Sequence, residues 1–280
     1  TNTINTLLER ASMGDCNPVV TPCLAGMVWT QKDANTSDAS NATKFRGLIA
    51  LANFIACWTR PDITFTVNKL CKYMAYPGPV HWHALKHLLR YLKGSALHDF
   101  NTPKVPAGLH AYTDASYADC PDTGKSTIGY IFFFGSAALS WYSKLHTYVT
   151  TCTNHSEYAA LAQGAKEAQW MVYLFQELDP AVTHTPVPLF VDNAGAISLV
   201  LNPIDHQANK HIRLACHYTR ELVEEKVVAP QRVPSSKNLA DAFTKALGGT
   251  AFTRLIANYV NESPRNPVST VRGGVLTSPE

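Results

Sequence analysis

The sequence predicts an α/β protein: a mixed sheet covered by helices, preceded by a small all-helical unit. Three observations predict it. Between Leu109 and Ser143, three runs rich in β-branched and aromatic residues follow one another with short turns. From Thr153 onward, helix-period and strand-period segments alternate. Before Gly94, apolar residues recur at helical spacing. Consecutive strands make an antiparallel meander, and strands separated by helices pair in parallel, so together they call for a mixed sheet.

Residues 1–27 are mixed and end in apolar Leu24-Ala25-Gly26-Met27, and 31–43 has the Asn, Ser and Asp content of a surface loop. In 44–58, Phe45, Leu48, Ile49, Ala52 and Ile55 share one helix face. Arg60-Pro61-Asp62 stops that helix and opens a second segment over 62–75; Pro77-Gly78-Pro79 breaks the chain again. The third helix, 81–94, sets Ala84, Leu85, Leu88, Leu89 and Leu92 inward, with Gly94 as C-cap. After Asn101-Thr102-Pro103 come strands at 109–116, 126–135 and 138–143. A long helix over 153–178 buries a stripe of Tyr158, Leu161, Ala162, Ala165, Ala168, Val172 and Phe175. Then follow strand 187–192, helical Ala194–Leu201, helix 210–226, strand 227–233 and helix 238–247. The order is βββαβαβα. Residues 262–280 are rich in Pro, Gly and Ser, the composition of a disordered tail.

The bulk composition excludes several classes. With 280 residues and 46% hydrophobic content, the chain can bury a substantial core, so global disorder is excluded. No apolar run approaches the roughly 18–20 residues that span a bilayer. The chain starts at Thr1 with no secretory signal and reads as a piece of a longer precursor. Its seven cysteines are dispersed without a C-x-x-C pair, which fits reduced thiols in the cytoplasm or nucleus. Net charge is only +3, but it is unevenly spread. Lys44, Arg46, Arg60, Lys69, Lys72, Lys86, Arg90 and Lys93 face only Asp62 and Asp99 within 43–100, which points to a polyanionic partner. Lys86, Arg90 and Lys93 line up at i, i+4 and i+7.

Residues 111–130, AYTDASYADCPDTGKSTIGY, offer two chemistries. Gly124-Lys125-Ser126-Thr127 has the ending of a phosphate-binding loop. That motif requires a glycine five residues earlier, where Asp119 stands, and a helix after it, where a strand is expected. Gly124 is therefore a turn residue. Asp114 has the stronger claim, because aspartate is depleted inside strands. Other acids recur at element ends: Glu157 opens the long helix, Asp192 ends strand 187–192, and Asp241 lies in the first turn of the last helix. If the first strand is central with the fourth beside it, Asp114 and Asp192 project from the same edge. Carboxylates about 4 Å apart repel by roughly 4 kcal/mol per pair at an effective dielectric of about 20, so cations must neutralise them. An all-oxygen set without Cys or His selects Mg²⁺ or Mn²⁺, and paired hard ions suit displacement at phosphorus.

These residues resemble the reverse transcriptase–ribonuclease H part of Ty/copia-type retrotransposon polyproteins. The matching pieces are 59–70, 83–94, 112–133, 139–144, SEYAAL (156–161), VDNAGAISL (191–199), 210–225 and LADAFTKAL (239–247), in the family's order. The resemblance implies a ribonuclease H-like fold over 105–260, a helical thumb/connection unit at 43–100, and a remnant of the polymerase palm at 1–42, with 261–280 as the tail. It also implies that Asp114, Glu157, Asp192 and Asp241 hold two Mg²⁺ or Mn²⁺ ions and cleave the RNA strand of an RNA–DNA hybrid. The upstream polymerase domain is the implied partner, inside the cell or a virus-like particle.

Two departures qualify it. No Tyr-x-Asp-Asp polymerase signature is present: Tyr117-Ala118-Asp119-Cys120 lacks the second Asp, so DNA synthesis is not expected. The loop before Asp241 lacks the His that cellular ribonucleases H carry there, leaving His211 or His217 as candidates for proton transfer. Lys86, Arg90 and Lys93 are expected to grip phosphates, with Lys69 and Lys72 nearby, and Ser116, Asn193, Lys125 and Lys210 are close enough in sequence to the acids to reach substrate. Trp58, Trp82, Trp141 and Trp170 read as packing residues. The alternative reading is a catalytically weak or inactive nucleic-acid-binding remnant of the same element.

Overall fold

The computed structural model describes residues 2–34, 39–100, 108–179, 185–201 and 210–262. Helix α1 (Asn2–Arg10) leads to α2 (Ala39–Trp58), α3 (Thr64–Cys71) and α4 (Pro79–Gly94), followed by strand β1 (His98–Phe100). Then come β2 (Leu109–Ser116), β3 (Thr127–Phe134), β4 (Ala137–Leu145), α5 (Thr153–Leu178), β5 (Val187–Val191), α6 (Ala194–Leu201), α7 (Lys210–Glu224) and β6 (Val228–Arg232). A 3₁₀ turn (Leu239–Phe243), α8 (Gly249–Ile256) and β7 (Val260–Glu262) close the described chain.

Five strands form one mixed sheet in the order β4-β3-β2-β5-β6. The β2–β3–β4 meander is antiparallel, and β5 and β6 add in parallel. Strand β2 is central and β5 lies beside it, so Asp114 and Asp192 come from neighbouring strands. Strand β3 is buried at every position except Phe134, because both sheet faces are covered there, and so it reads as a near-continuous apolar run. Pro230 is accommodated because β6 is an edge strand, where a missing N–H breaks no ladder.

One face of the sheet carries α5, α6 and α7. There Leu109, Ala111, Tyr130, Phe132, Leu189 and Val191 pack against the α5 stripe, in which Phe175 is only partly buried. The other face is covered by the helical unit: Ile131 and Phe133 join Phe45, Ile49, Leu85, Leu88, Phe243 and Phe252 in one core. The predicted inward faces of α2 and α4 are all buried. Among the described residues no helix is long and apolar enough to cross a membrane.

The structure corrects several expectations. The segment expected as a helix over 238–247 is a five-residue 3₁₀ turn, because its residues bend onto the sheet rather than wind on. The C-cap of α4 is Ser95, not Gly94. A Cβ on Gly94 would come within 2.9 Å of Pro18, so that glycine permits a close approach instead. The second segment ends at Cys71 rather than near 75. Three elements were not expected: α1, α8 and the β1–β7 ribbon, which joins the end of the described chain to the helical unit. Residues 263–280 lie outside the described residues.

Candidate metal centre

Strand β2 delivers Asp114 fully buried, opposite Gly129 of β3. That glycine is required: a Cβ there would lie 2.7 Å from Phe243 Cβ and 3.0 Å from Thr244 Cγ2. Its absence lets the 3₁₀ turn close over β3 and bring Asp241 to Asp114. Gly164 has the same role on the other face, where a Cβ would meet Thr113 Cγ2 at 2.7 Å, so α5 lies close on β2.

Asn238 fastens the turn. It is fully buried, its Nδ2 donates to the Thr113 carbonyl at 3.0 Å, and its Oδ1 accepts from Ala240 N at 3.1 Å. One side chain therefore caps the turn and pins it to the strand, one residue before Asp114. Asp192 follows directly on β5, and Ser235 Oγ donates to its Oδ2 at 2.6 Å.

Asp114, Asp192 and Asp241 converge so that one ligand atom from each lies within 4.8 Å of the others. Glu157 on α5 is buried, receives a backbone hydrogen bond from Ala115, and leaves Oε2 without a partner. Its carboxyl is pushed up to about 9, first by burial and then by the charges of Asp114 and Asp192. Asp114 is pushed up to about 6 by burial, a rise that Lys245 opposes and Asp241 reinforces. Three clustered carboxylates, with a buried carboxyl oxygen unsatisfied beside them, form a hard-oxygen donor set that fits Mg²⁺ or Mn²⁺.

Lys245 was missed by sequence reasoning. Its Nζ lies 2.6 Å from Asp241 Oδ1 and 3.3 and 3.2 Å from the two Asp114 oxygens. Burial works against its charge, but Asp114 and Asp241 outweigh that and raise it above the usual lysine value. The signal available was its i, i+4 spacing from Asp241. The neighbouring Thr244 hydroxyl donates to Asp114 Oδ2.

The remaining expected site residues have varied surroundings. Asn193 caps α6, its Oδ1 accepting from Ala196 N at 2.9 Å. Ser116 is half-buried at the end of β2. Lys86 is exposed on α4, Lys93 is half-buried, and Arg90 donates to the Asn17 carbonyl at 2.7 Å. Lys69 pairs with Asp119 at 2.8 Å, which ties α3 to the β2–β3 loop. Burial lowers Lys72, which sits near Cys120. Lys125 is half-buried in the same loop. Lys210 and His211 open α7, but their side chains lie outside the described residues; His217 is exposed.

Gly124 has a φ of +64°, and Ser126 Oγ accepts from Ala118 N, so the GKST segment organises a hairpin turn. Trp82 packs on Phe45 and Trp141 donates to the Ala56 carbonyl, whereas Trp58 and Trp170 are 69% and 56% exposed, contrary to their packing role. The six described cysteines are free.

No family model matches the chain. Among curated proteins it is 36% identical over 247 residues to the retrovirus-related Pol polyprotein from transposon RE2 of Arabidopsis thaliana, covering 88% of this chain and 17% of that protein. It is 31% identical over 253 residues to the Pol polyprotein from transposon TNT 1-94 of Nicotiana tabacum, covering 89% and 19%. The chain belongs to the copia-type retrotransposon Pol family. It spans less than a fifth of the length of these two Pol relatives. A solved ribonuclease H1 from Halobacterium salinarum is 19% identical, covering 49% of this chain and 93% of that one, with a TM-score of 0.36. The ribonuclease H-like fold of this Pol region rests on its strand order and pairing.

Proposed function

We propose that this Pol region is a divalent-ion-dependent endonuclease that hydrolyses the RNA strand of RNA–DNA hybrids. The observation that carries the reading is the convergence of Asp114, Asp192 and Asp241 to within 4.8 Å from three separate segments. Glu157 completes the proposed catalytic set. Bound as a pair, Mg²⁺ or Mn²⁺ would supply Lewis acidity that activates water and offsets charge on the leaving 3′-oxygen.

The chain's own residues supply position. Asp114 is immobilised by Thr244 and Lys245, Asp192 by Ser235, and the Asp241 turn by Asn238. The helical unit at 43–100 is proposed to hold the hybrid as a thumb/connection region. Lys86, Arg90 and Lys93 would contact phosphates, and Ser116, Asn193 and Lys210 would lie at the substrate edge. A polymerase domain of the same polyprotein is the proposed partner, in the cytoplasm or nucleus.

A labelled RNA–DNA hybrid, duplex DNA and duplex RNA, each tested with Mg²⁺, Mn²⁺ and EDTA, test the reading. Cleavage of the hybrid's RNA strand alone, abolished by EDTA, is expected. Preference for duplex DNA would contradict it. A second reading, a catalytically weak nucleic-acid-binding remnant, is favoured by one observation: the Lys245 ammonium already neutralises part of the acidic cluster. Hybrid binding without ion-dependent cleavage would establish that alternative.

A further inference from the structure

The position of Lys245 goes beyond that reading while resting on it. A lysine beside an acidic cluster is ordinary when solvated, but this one is directed. Its ammonium contacts Asp241 at 2.6 Å and both oxygens of the fully buried Asp114 at 3.3 and 3.2 Å. The residue also lines a small cavity with Pro22 and Cys23 of the N-terminal segment and Phe65 and Thr66 of α3. Asp114 is thus met by the Lys245 ammonium and the Thr244 hydroxyl from one turn.

Charge arithmetic shows what this does. The three clustered aspartates carry three negative charges when ionised, or four with Glu157, and the Lys245 ammonium cancels one, so a single divalent ion leaves the cluster neutral or with one negative charge. Two divalent ions would leave the same cluster positive, with an ammonium and a metal competing for the Asp114–Asp241 side. An ammonium and a divalent ion that close repel twice as strongly as two unit charges, so they do not share the position.

We propose that Lys245 is a built-in counter-cation standing in for one of the two ions, so that the resting site takes up a single divalent ion and admits a second only when Lys245 is displaced. It is a positioning residue: it acts on Asp114 and Asp241, not on the phosphodiester.

The test counts Mn²⁺ bound to the full chain, by equilibrium dialysis with free Mn²⁺ read by electron paramagnetic resonance. Wild type is expected to take up one ion at the triad. Lys245→Met, which keeps most of the stem, is expected to take up two, the first at least tenfold more tightly. Lys245→Arg keeps the charge and should restore uptake of one, an outcome that a purely packing role would not produce. Equal stoichiometry and affinity in wild type and Lys245→Met, or two ions in wild type, would overturn this proposal alone. No uptake by either protein, or undiminished uptake by Asp114→Asn, would overturn the nuclease reading with it.

Discussion

Asp114 and Glu157 carry the cost of assembling the site. Both carboxyls hold their proton more tightly in the folded chain than in the unfolded one, where ordinary values of roughly 4 apply. A raised acid contributes full stability below its unfolded value and loses it as pH rises, here through about 6 for Asp114 and about 9 for Glu157. In EDTA the thermal midpoint should therefore fall from about pH 5 to about pH 9, and saturating Mg²⁺ should reverse much of that fall. A flat profile would remove the strain from these carboxyls. Asp62 has the opposite sign: burial pushes it up, but Arg60 and Tyr91 outweigh burial and hold it low, so its contribution is lost on acidification. Asn238 tests the fastening of the turn. Asn238→Ala removes both the donor to the Thr113 carbonyl and the acceptor for Ala240 N, and should cost about 1–3 kcal/mol in a denaturant titration. Asp114 was legible because aspartate is depleted in strands, and Asp192 and Asp241 because acids recur at element ends, although a first-turn acid such as Asp241 is also locally favoured. Asn238 and Lys245 were not, because the contacts that give them their roles, to the Thr113 carbonyl and to Asp114, lie across space, and an i, i+4 Asp–Lys spacing is common on any helix.

At the scale of elements, the 3₁₀ turn decides whether the acids meet. Leu239, Ala240, Ala242 and Phe243 have good helical character, which explains the expectation of a helix to residue 247. Tertiary contacts prevail: the turn ends at Phe243 so that Thr244 and Lys245 reach Asp114. Gly129→Ala should force Phe243 and Thr244 outward, destabilise the fold by about 1–3 kcal/mol, and weaken Mn²⁺ binding measured by calorimetry. Unchanged Mn²⁺ affinity would show that the turn does not position Asp241. Helices α2, α4 and α5 and strand β2 were readable because each repeats one period over several turns or pleats. The β1–β7 ribbon was not, because three-residue strands paired across most of the chain leave no periodic trace. Helix α1 carried a short signal, Ile4, Leu7 and Leu8 at helical spacing, among poor helix formers.

Across the whole molecule, the helical unit and the sheet share a core. Residues from Ile4 to Leu92 pack with Ile131, Phe133, Phe243 and Phe252, and Tyr91 meets Phe252 edge-on at 5.7 Å. The helix that carries Lys86 and Lys93 is thereby packed onto the body that carries the acids. Lys86→Glu with Lys93→Glu should weaken hybrid binding and lower its salt slope by roughly 1 for each phosphate no longer neutralised; an unchanged slope would make these lysines a solvated face. Arg90 is left out of that pair because its bond to the Asn17 carbonyl gives it a structural role as well. The most direct test is hybrid cleavage by wild type beside Asp114→Asn in Mg²⁺, with both proteins shown to be folded by circular dichroism. Cleavage by wild type and none above background by the variant is the predicted result; near-equal rates would contradict the assignment of the acidic cluster as the reaction centre.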